Sequence, residues 1–395
     1  MGEINLIEDL SFQMSVFKLS NSNHHYFPNY KISTHQSLLL YLLSRIIYMS
    51  DSKKEITIYD IAKQIGISTA TVSRSLSGHS SISEKTKILV HSVAKELGYR
   101  QNSFASSLRK QKSHTIGVII HELKSSFTTS VLAGIEKVTA ISGYDLIIAH
   151  SSESINKEIA NANNLFHKRV DGIIASLSFE TENLNHFEPF TDKNIPLVFF
   201  DRVEEYANTT KVIIDNYKCG YQATKHLIEQ GCKEVLIVTG NQRRNVYQQR
   251  LLGYKNALFE RNLPLREDLV FINDLSEDSV LEVVSKIIKM RRLPDGAFIT
   301  NDYTAAVFMK KLKEFEIRIP DDIAIVGFNN DAISRIIEPE LTTINYPGFM
   351  IGEVAATNLV NHLSGTSNLK DTSTIIINSE LIIRHSSLKS RIIRS

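Results

Sequence analysis

Thr57-Ile58-Tyr59-Asp60-Ile61-Ala62-Lys63-Gln64-Ile65-Gly66-Ile67-Ser68-Thr69-Ala70-Thr71-Val72-Ser73-Arg74-Ser75-Leu76 contains two helix starts separated by one tight turn. Thr57 and Asp60 form a capping box: the threonine accepts from the third helical amide and the carboxylate reaches back. Gly66 stops that helix after about two turns, and Ser68 caps a second helix that runs to Leu76 and is closed by Gly78. Small Ala62 lies where the two helices would cross. With Ile61, Ile65, Ile67, Val72 and Leu76 as the core, the unit is a helix-turn-helix. A third helix follows, with Ser83 as its cap, Ile88, Val90, Val93, Ala94 and Leu97 as apolar positions, and Gly98 as the stop.

The second helix would expose Thr, Ala, Ser and Arg, a face narrow enough for the DNA major groove. There Arg74 can pair with guanine and small side chains can touch thymine methyls. Thr57, Tyr59, Ser68, Thr71 and Ser73 are donors suited to phosphates, which position such a helix without reading sequence. Charge agrees: residues 49–112 hold eleven Lys/Arg against five Asp/Glu, a net +6, whereas residues 113–395 hold 31 against 35, a net −4. A basic head on an acidic body fits a polyanion-binding module joined to one that binds something else. The competing interpretation is a generic three-helix packing unit with an ordinary surface arginine.

The 395 residues are enough for two or three domains, and 42% hydrophobic with 22% charged residues excludes a disordered, collagen-like or disulfide-stapled chain. Beyond residue 113, apolar strand candidates at 116–120, 145–149, 172–176, 196–200, 211–214, 235–239, 296–300 and 324–328 alternate with helix candidates such as 129–141, 217–230, 276–291 and 303–315. This is the pattern of parallel α/β sheets. So many units exceed one sheet, which implies two lobes with a cleft. Ligands of open sheets sit beyond the carboxyl ends of strands. The residues there include Phe127, Asp201-Arg202, Asp215-Asn216, Arg250, Asn301-Asp302 and Asn329-Asn330-Asp331, a polar set with an aromatic wall that suits a hydroxyl-rich small molecule.

Ile58-Tyr59-Asp60-Ile61-Ala62, Ser68-Thr69-Ala70-Thr71-Val72-Ser73-Arg74, Ser83-Glu84-Lys85-Thr86 and Glu96-Leu97-Gly98-Tyr99-Arg100 resemble the lactose-repressor/galactose-repressor family of bacterial regulators. The likeness continues through Phe199-Phe200-Asp201-Arg202, Ile214-Asp215-Asn216, Arg250-Leu251-Leu252-Gly253-Tyr254, Thr300-Asn301-Asp302, Val326-Gly327-Phe328 and Leu341-Thr342-Thr343-Ile344, and covers residues 56–385. It implies an all-α helix-turn-helix head on an α/β, type I periplasmic-binding-protein-like core of two lobes with parallel sheets. By the resemblance, Thr69, Ala70 and Arg74 read bases. The stretch 102–108 corresponds to a hinge helix that orders on operator DNA, with Asn102 and Ala105 as DNA contacts and Leu108 as the minor-groove wedge. The alternative for Leu108 is a plain linker leucine. Gln101 replaces the usual hinge proline and Ser106 the usual arginine, so ordering the hinge should cost more, and a wild-type affinity unchanged by Gln101→Pro would contradict this.

In the core, the resemblance makes Arg250 the effector-clamping arginine, Phe127 part of the ligand wall, and Asn301 and Asn329 members of the hydroxyl-binding set. Position 329 is usually Asp in sugar-responsive members, and Ser125-Ser126 replaces the usual Asn-Pro. An amide accepts at one end and donates at the other, unlike a carboxylate, so the expected effector carries an acid, a phosphate or a modified hydroxyl. The implied protein is a homodimeric regulator, more readily a repressor than an activator, on palindromic operator DNA under a small carbohydrate-like effector.

No metal-ligand or nucleophile motif, P-loop or G-x-G-x-x-G occurs, so neither an enzyme nor a cofactor is expected. The two cysteines, Cys219 and Cys232, lack metal spacing and suit a reducing cytosol. The apolar run 37–43 is too short to span a bilayer and too deep for a signal peptide, so a cytoplasmic protein is expected. Residues 1–48 show no period and are read as an over-extended reading frame with Met49 as initiator, the alternative being a weakly ordered natural extension. The expected division is thus 1–48 extension, 49–100 DNA-binding domain, 101–112 hinge and 113–395 effector-binding and dimerisation domain. One further reading stays open, a regulator answering to a protein partner, with a vestigial pocket; the competitor from another class, an exported solute-binding protein, would share the body but need an export signal and no helix-turn-helix, the reverse of what this chain shows.

Overall fold

The computed structural model describes residues 56–99, 112–204, 209–369 and 373–389. Two compact units divide the chain between Asn102 and Ser103. The extension 1–48, Met49 and the hinge positions Gln101, Asn102, Ala105, Ser106 and Leu108 lie outside the described residues.

The first unit holds α1 (Ile58–Ile65), α2 (Thr69–Leu76) and α3 (Glu84–Leu97). Each helix is set by its cap. The Asp60 carboxylate accepts from the Thr57 N–H at 2.8 Å and its hydroxyl at 2.7 Å, Ser68 Oγ accepts from the Thr71 N–H at 3.1 Å, and Ser83 Oγ from the Thr86 N–H at 3.2 Å. Gly66 ends α1 at φ 70°, the left-handed conformation that an L side chain resists, and so turns the chain into α2. Ile61, Ala62, Val72, Val90, Val93 and Ala94 form the core, with Ile58, Ile65, Ile67, Leu76 and Leu97 at its margin. Ile88, expected among the apolar core positions, is instead 69% exposed. At 100° per residue it lies roughly opposite Val90 on α3, so both cannot face inward.

The second unit contains two six-stranded sheets. One consists of β1 (Thr115–Ile120), β2 (Asp145–His150), β3 (Gly172–Ala175), β4 (Leu197–Phe200), β5 (Thr210–Ile214) and β11 (Thr374–Ile377), all parallel, in the order β11-β5-β4-β3-β1-β2. The other consists of β6 (Val235–Thr239), β7 (Val270–Ile272), β8 (Gly296–Ile299), β9 (Ala324–Asn329), β10 (Thr342–Asn345) and β12 (Leu381–Ile382), in the order β12-β10-β9-β8-β6-β7, with only β12 antiparallel. Helices α4 (Ser126–Ile141), α5 (Ile155–His167), α6 (Glu188–Asp192) and α12 (Gly348–Ser364) belong to the first lobe. Helices α7 (Asn216–Glu229), α8 (Asn245–Glu260), α9 (Glu277–Ile287), α10 (Asp302–Glu314) and α11 (Ile333–Ile336) belong to the second.

All eight strands expected from apolar runs are present. The others escape such a reading: β10 is built from threonines, and β7, β11 and β12 are short, partly exposed edge strands. The chain passes from lobe to lobe after β5, after β10 and after β11. These crossings bring Asn216 and Tyr346 to the junction of the lobes, beside the carboxyl ends of the strands.

Candidate functional site

On α2, Val72 and Ser75 face the core, and the Ser75 hydroxyl is occupied by the Thr71 carbonyl at 2.8 Å. The opposite face carries Ala70 and Arg74, both exposed, flanked by half-buried Thr69 and Ser73. Residues three and four apart are neighbours on a helix, so these four side chains make one short surface. Thr57, Ser68 and the 70%-exposed Tyr59 stand at the amino ends of α1 and α2, where backbone N–H groups and the helix dipole favour phosphate. Thr71 lies nearby, its hydroxyl paired with Ser68 Oγ at 2.9 Å.

Between the lobes, Arg250 is 3% exposed and fixed by neutral partners. Its Nε donates to Asn216 Oδ1 at 2.9 Å, its Nη1 to the Thr300 carbonyl at 3.3 Å, and its guanidinium lies 3.5 Å from the Phe328 ring centroid. Phe328 meets Tyr346 edge-on at 5.7 Å, and Tyr346 stacks on Phe127 at 4.0 Å. Phe127 of the first lobe and Arg250 of the second are thereby the two ends of one continuous stack. Helix α8 reaches this position because Gly220 and Gly253 let α7 and α8 touch backbone to backbone: a Cβ on Gly220 would collide with the Arg250 carbonyl oxygen.

Asn329 ends β9 at φ 124°, a conformation costly for any side chain, and its Nδ2 donates to Asp331 at 3.2 Å. Its carbonyl accepts the Tyr346 N–H at 3.2 Å, which ties it to the same stack. Asn301 caps α10 through Oδ1, which accepts from the Thr304 N–H at 3.0 Å and lies 3.2 Å from Thr304 Oγ1, so its amide nitrogen is the atom best placed to serve a ligand. Asp215 likewise caps α7 and is exposed. Asp302 is fully buried, accepting from Thr343 Oγ1 at 2.7 Å and the Asp331 N–H at 2.9 Å, and burial pushes its carboxyl up to about 7. It supports the β9 loop from beneath.

Sequence reasoning missed Tyr346 and Phe328. Phe328 and Tyr346 stand at the ends of β9 and β10, so the rule that singled out post-strand residues would have found Tyr346 had β10 been recognised. Tyr346 donates to Asp201 Oδ1 at 2.6 Å across the junction. Burial raises the Asp201 carboxyl, and burial with that carboxylate alongside raises the Tyr346 phenol well above its usual value. Arg202 is held by Glu153 through two contacts of 2.7 and 2.8 Å and lies 4.0 Å from the Phe179 ring centroid. His121 sits behind it, 3.0 Å from Ser176 Oγ, and burial next to Arg202 keeps the imidazole well below its normal range.

Among the described residues, no helix is long and apolar enough to cross a membrane. A family model for bacterial regulatory proteins of the lacI family matches residues 57–102, and one for a periplasmic binding protein-like domain matches residues 224–387. Catabolite control protein A of Priestia megaterium is 31% identical over 310 residues, spanning 78% of this chain and 93% of that protein. The HTH-type transcriptional repressor PurR of Pectobacterium carotovorum is 30% identical over 332 residues, spanning 84% of this chain and 96% of that protein. Among solved structures, the lac repressor dimer bound to operator and the anti-inducer ONPF superposes with a TM-score of 0.75 at 22% identity, covering 85% of this chain and 100% of that one. The CelR–cellobiose complex gives 0.63 at 24% identity, covering 84% and 100%. These two likenesses establish the fold.

A capped helix-turn-helix head carried with a two-lobed, parallel-sheet core defines a DNA-binding transcriptional regulator whose second module is built for a small ligand. The chain belongs to the lacI family of bacterial regulatory proteins.

Proposed function

We propose that this regulator is a cytoplasmic, homodimeric repressor of palindromic operators, with no catalytic activity of its own, controlled by a small carbohydrate-like effector between its lobes. Residues 49–100 would bind DNA, 101–112 form the hinge, and 113–395 hold the effector and the dimer contact. Phosphate contacts from Thr57, Tyr59, Ser68, Thr71 and Ser73 supply affinity and its salt dependence, and Thr69, Ala70 and Arg74 supply base discrimination. Asn102, Ala105 and Leu108 act in the minor groove at the operator centre.

The observation that carries the effector half is the stack from Phe127 to Arg250, which joins the two lobes through Tyr346 and Phe328. A ligand seated on Phe127, Arg250, Asn301 and Asn329 must contact or rearrange that stack, and so favours one lobe arrangement over another. Coupling of this kind is reciprocal: operator binding changes effector affinity by the same factor. The test is retention of a selected operator with and without a pool of sugars, sugar acids and sugar phosphates. The response disappears in Arg250→Ala if the reading holds; a response of unchanged size in that variant contradicts it.

A further inference from the structure

β7 is the outer strand of the second-lobe sheet. It pairs with β6 from Val270 opposite Ile237 to Ile272 opposite Thr239, and among the described residues no strand lies on its other side. An open edge offers main-chain N–H and C=O groups to a further strand, and proteins commonly block one with a lysine, a proline or a bulge. Val270-Phe271-Ile272 carries none of these, and Ile272 is 52% exposed.

A trough runs along this edge. Two hollows, about 640 and about 280 Å³, share the same walls: the chain from Arg266 to Asn273 on one side, and the chain from Ser279 on α9 to Arg292 on the other. β6, β7 and β8 are parallel, so α9 runs back antiparallel to β7 and the hollows follow one another end to end. Successive strand residues face opposite ways. Phe271 packs towards Val280, Val283 and Val284 of α9, whereas Val270 packs into the core on the other face.

The wall formed by α9 and its tail is basic. Lys286-Ile287-Ile288-Lys289-Met290-Arg291-Arg292 holds four cations and no carboxylate, within a body whose net charge is −4. A helix end attracts cations, but only Lys286 lies in the last turn of α9, and the other three stand beyond it. All four are exposed, and among the described residues only Arg292 has a carboxylate close by, Glu234 at 3.6 Å. Glu234 and Asp268 are engaged by Arg266, whose Nη1 donates to Glu234 at 2.9 Å and Nε to Asp268 at 3.1 Å. Glu282 is the one acid lining the smaller hollow, so negative charge is best matched at the larger.

We propose that this trough receives an extended segment of a partner protein, which adds to β7 as a further strand, turns acidic side chains towards the basic tail of α9 and sets alternate apolar ones beside Val270 and Ile272. Nucleic acid would match the cations but would leave the strand edge and the apolar residues unused.

Random peptides about ten residues long, the reach of a strand, are selected on the full chain. The expected winners alternate apolar and acidic residues. A synthetic winner binds the Lys289→Glu/Arg291→Glu variant at least about tenfold more weakly than the wild type, and its affinity falls as salt rises. N-methylation of one alternate set of its amides abolishes binding and of the other set does not, because a strand pairs with its neighbour through every second residue. Both substituted side chains are exposed, so the variant keeps the wild-type Tm and operator retention. No enrichment of such peptides, unchanged binding by the variant, or equal tolerance of methylation at every amide overturns the proposal. So does a change in the variant's sedimentation, which would give the trough to a second copy of the chain, and so does single-stranded DNA retained by the wild type and lost by the variant while no peptide is enriched.

Discussion

Arg250 is held by neutral groups: an amide oxygen, a backbone carbonyl and aromatic faces. Such contacts hold a guanidinium in place without cancelling its charge, which leaves it available to a polar ligand. Arg250→Ala should therefore lose effector response and also about 1–3 kcal/mol of stability from the lost stack and the unpaired Asn216, read by denaturant titration. Asp302 yields a pH prediction. Its carboxyl is raised from 3.8 to about 7 by burial, so the folded state binds the proton more tightly than the unfolded state. Stability from this group is thus fully present below pH 4 and is lost as pH rises towards 7. Asp302→Asn, which can donate to Thr343 Oγ1, should flatten the decline in Tm between pH 4 and 7; a decline of unchanged slope would assign it elsewhere. In the head, Arg74→Ala should cost about 1–3 kcal/mol at one operator base pair and relax preference there, measured by binding to single-base operator variants.

Among the elements, α2 and the α7–α8 pair carry the proposed sites. Ser68→Ala removes the α2 cap and should cost about 1 kcal/mol, seen in head stability and in operator affinity together. Gly220→Val forces α7 away from the Arg250 backbone and should cost about 1–3 kcal/mol or more, with effector response falling more steeply than operator binding. The head was legible in the sequence nearly to the residue because caps and glycine stops are local chemistry; only Ile88 went wrong, through reading an apolar residue without its angular position. The parallel strands were legible as apolar runs. The edge strands β7, β11 and β12 were not, because an exposed edge needs no such run, and β10 was hidden because buried Thr342 and Thr343 satisfy their hydroxyls on Arg384 and Asp302.

Across the whole molecule, the charge split between basic head and acidic body already separated the two tasks, and the rule of post-strand residues located the cleft. It could not show which of those residues meet, since Phe127, Arg250 and Tyr346 are far apart in sequence and join only through the chain's crossings between lobes. A single chain of this build reads a specific DNA sequence under the control of a small ligand. Selection from random duplex DNA by the full chain, at two salt concentrations and with or without the sugar, sugar-acid and sugar-phosphate pool, tests it most directly. The expected outcome is a palindrome with a flexible pyrimidine–purine step at its centre, whose retention changes with the pool. Enrichment of no palindrome, with retention that merely falls as salt rises, would contradict it.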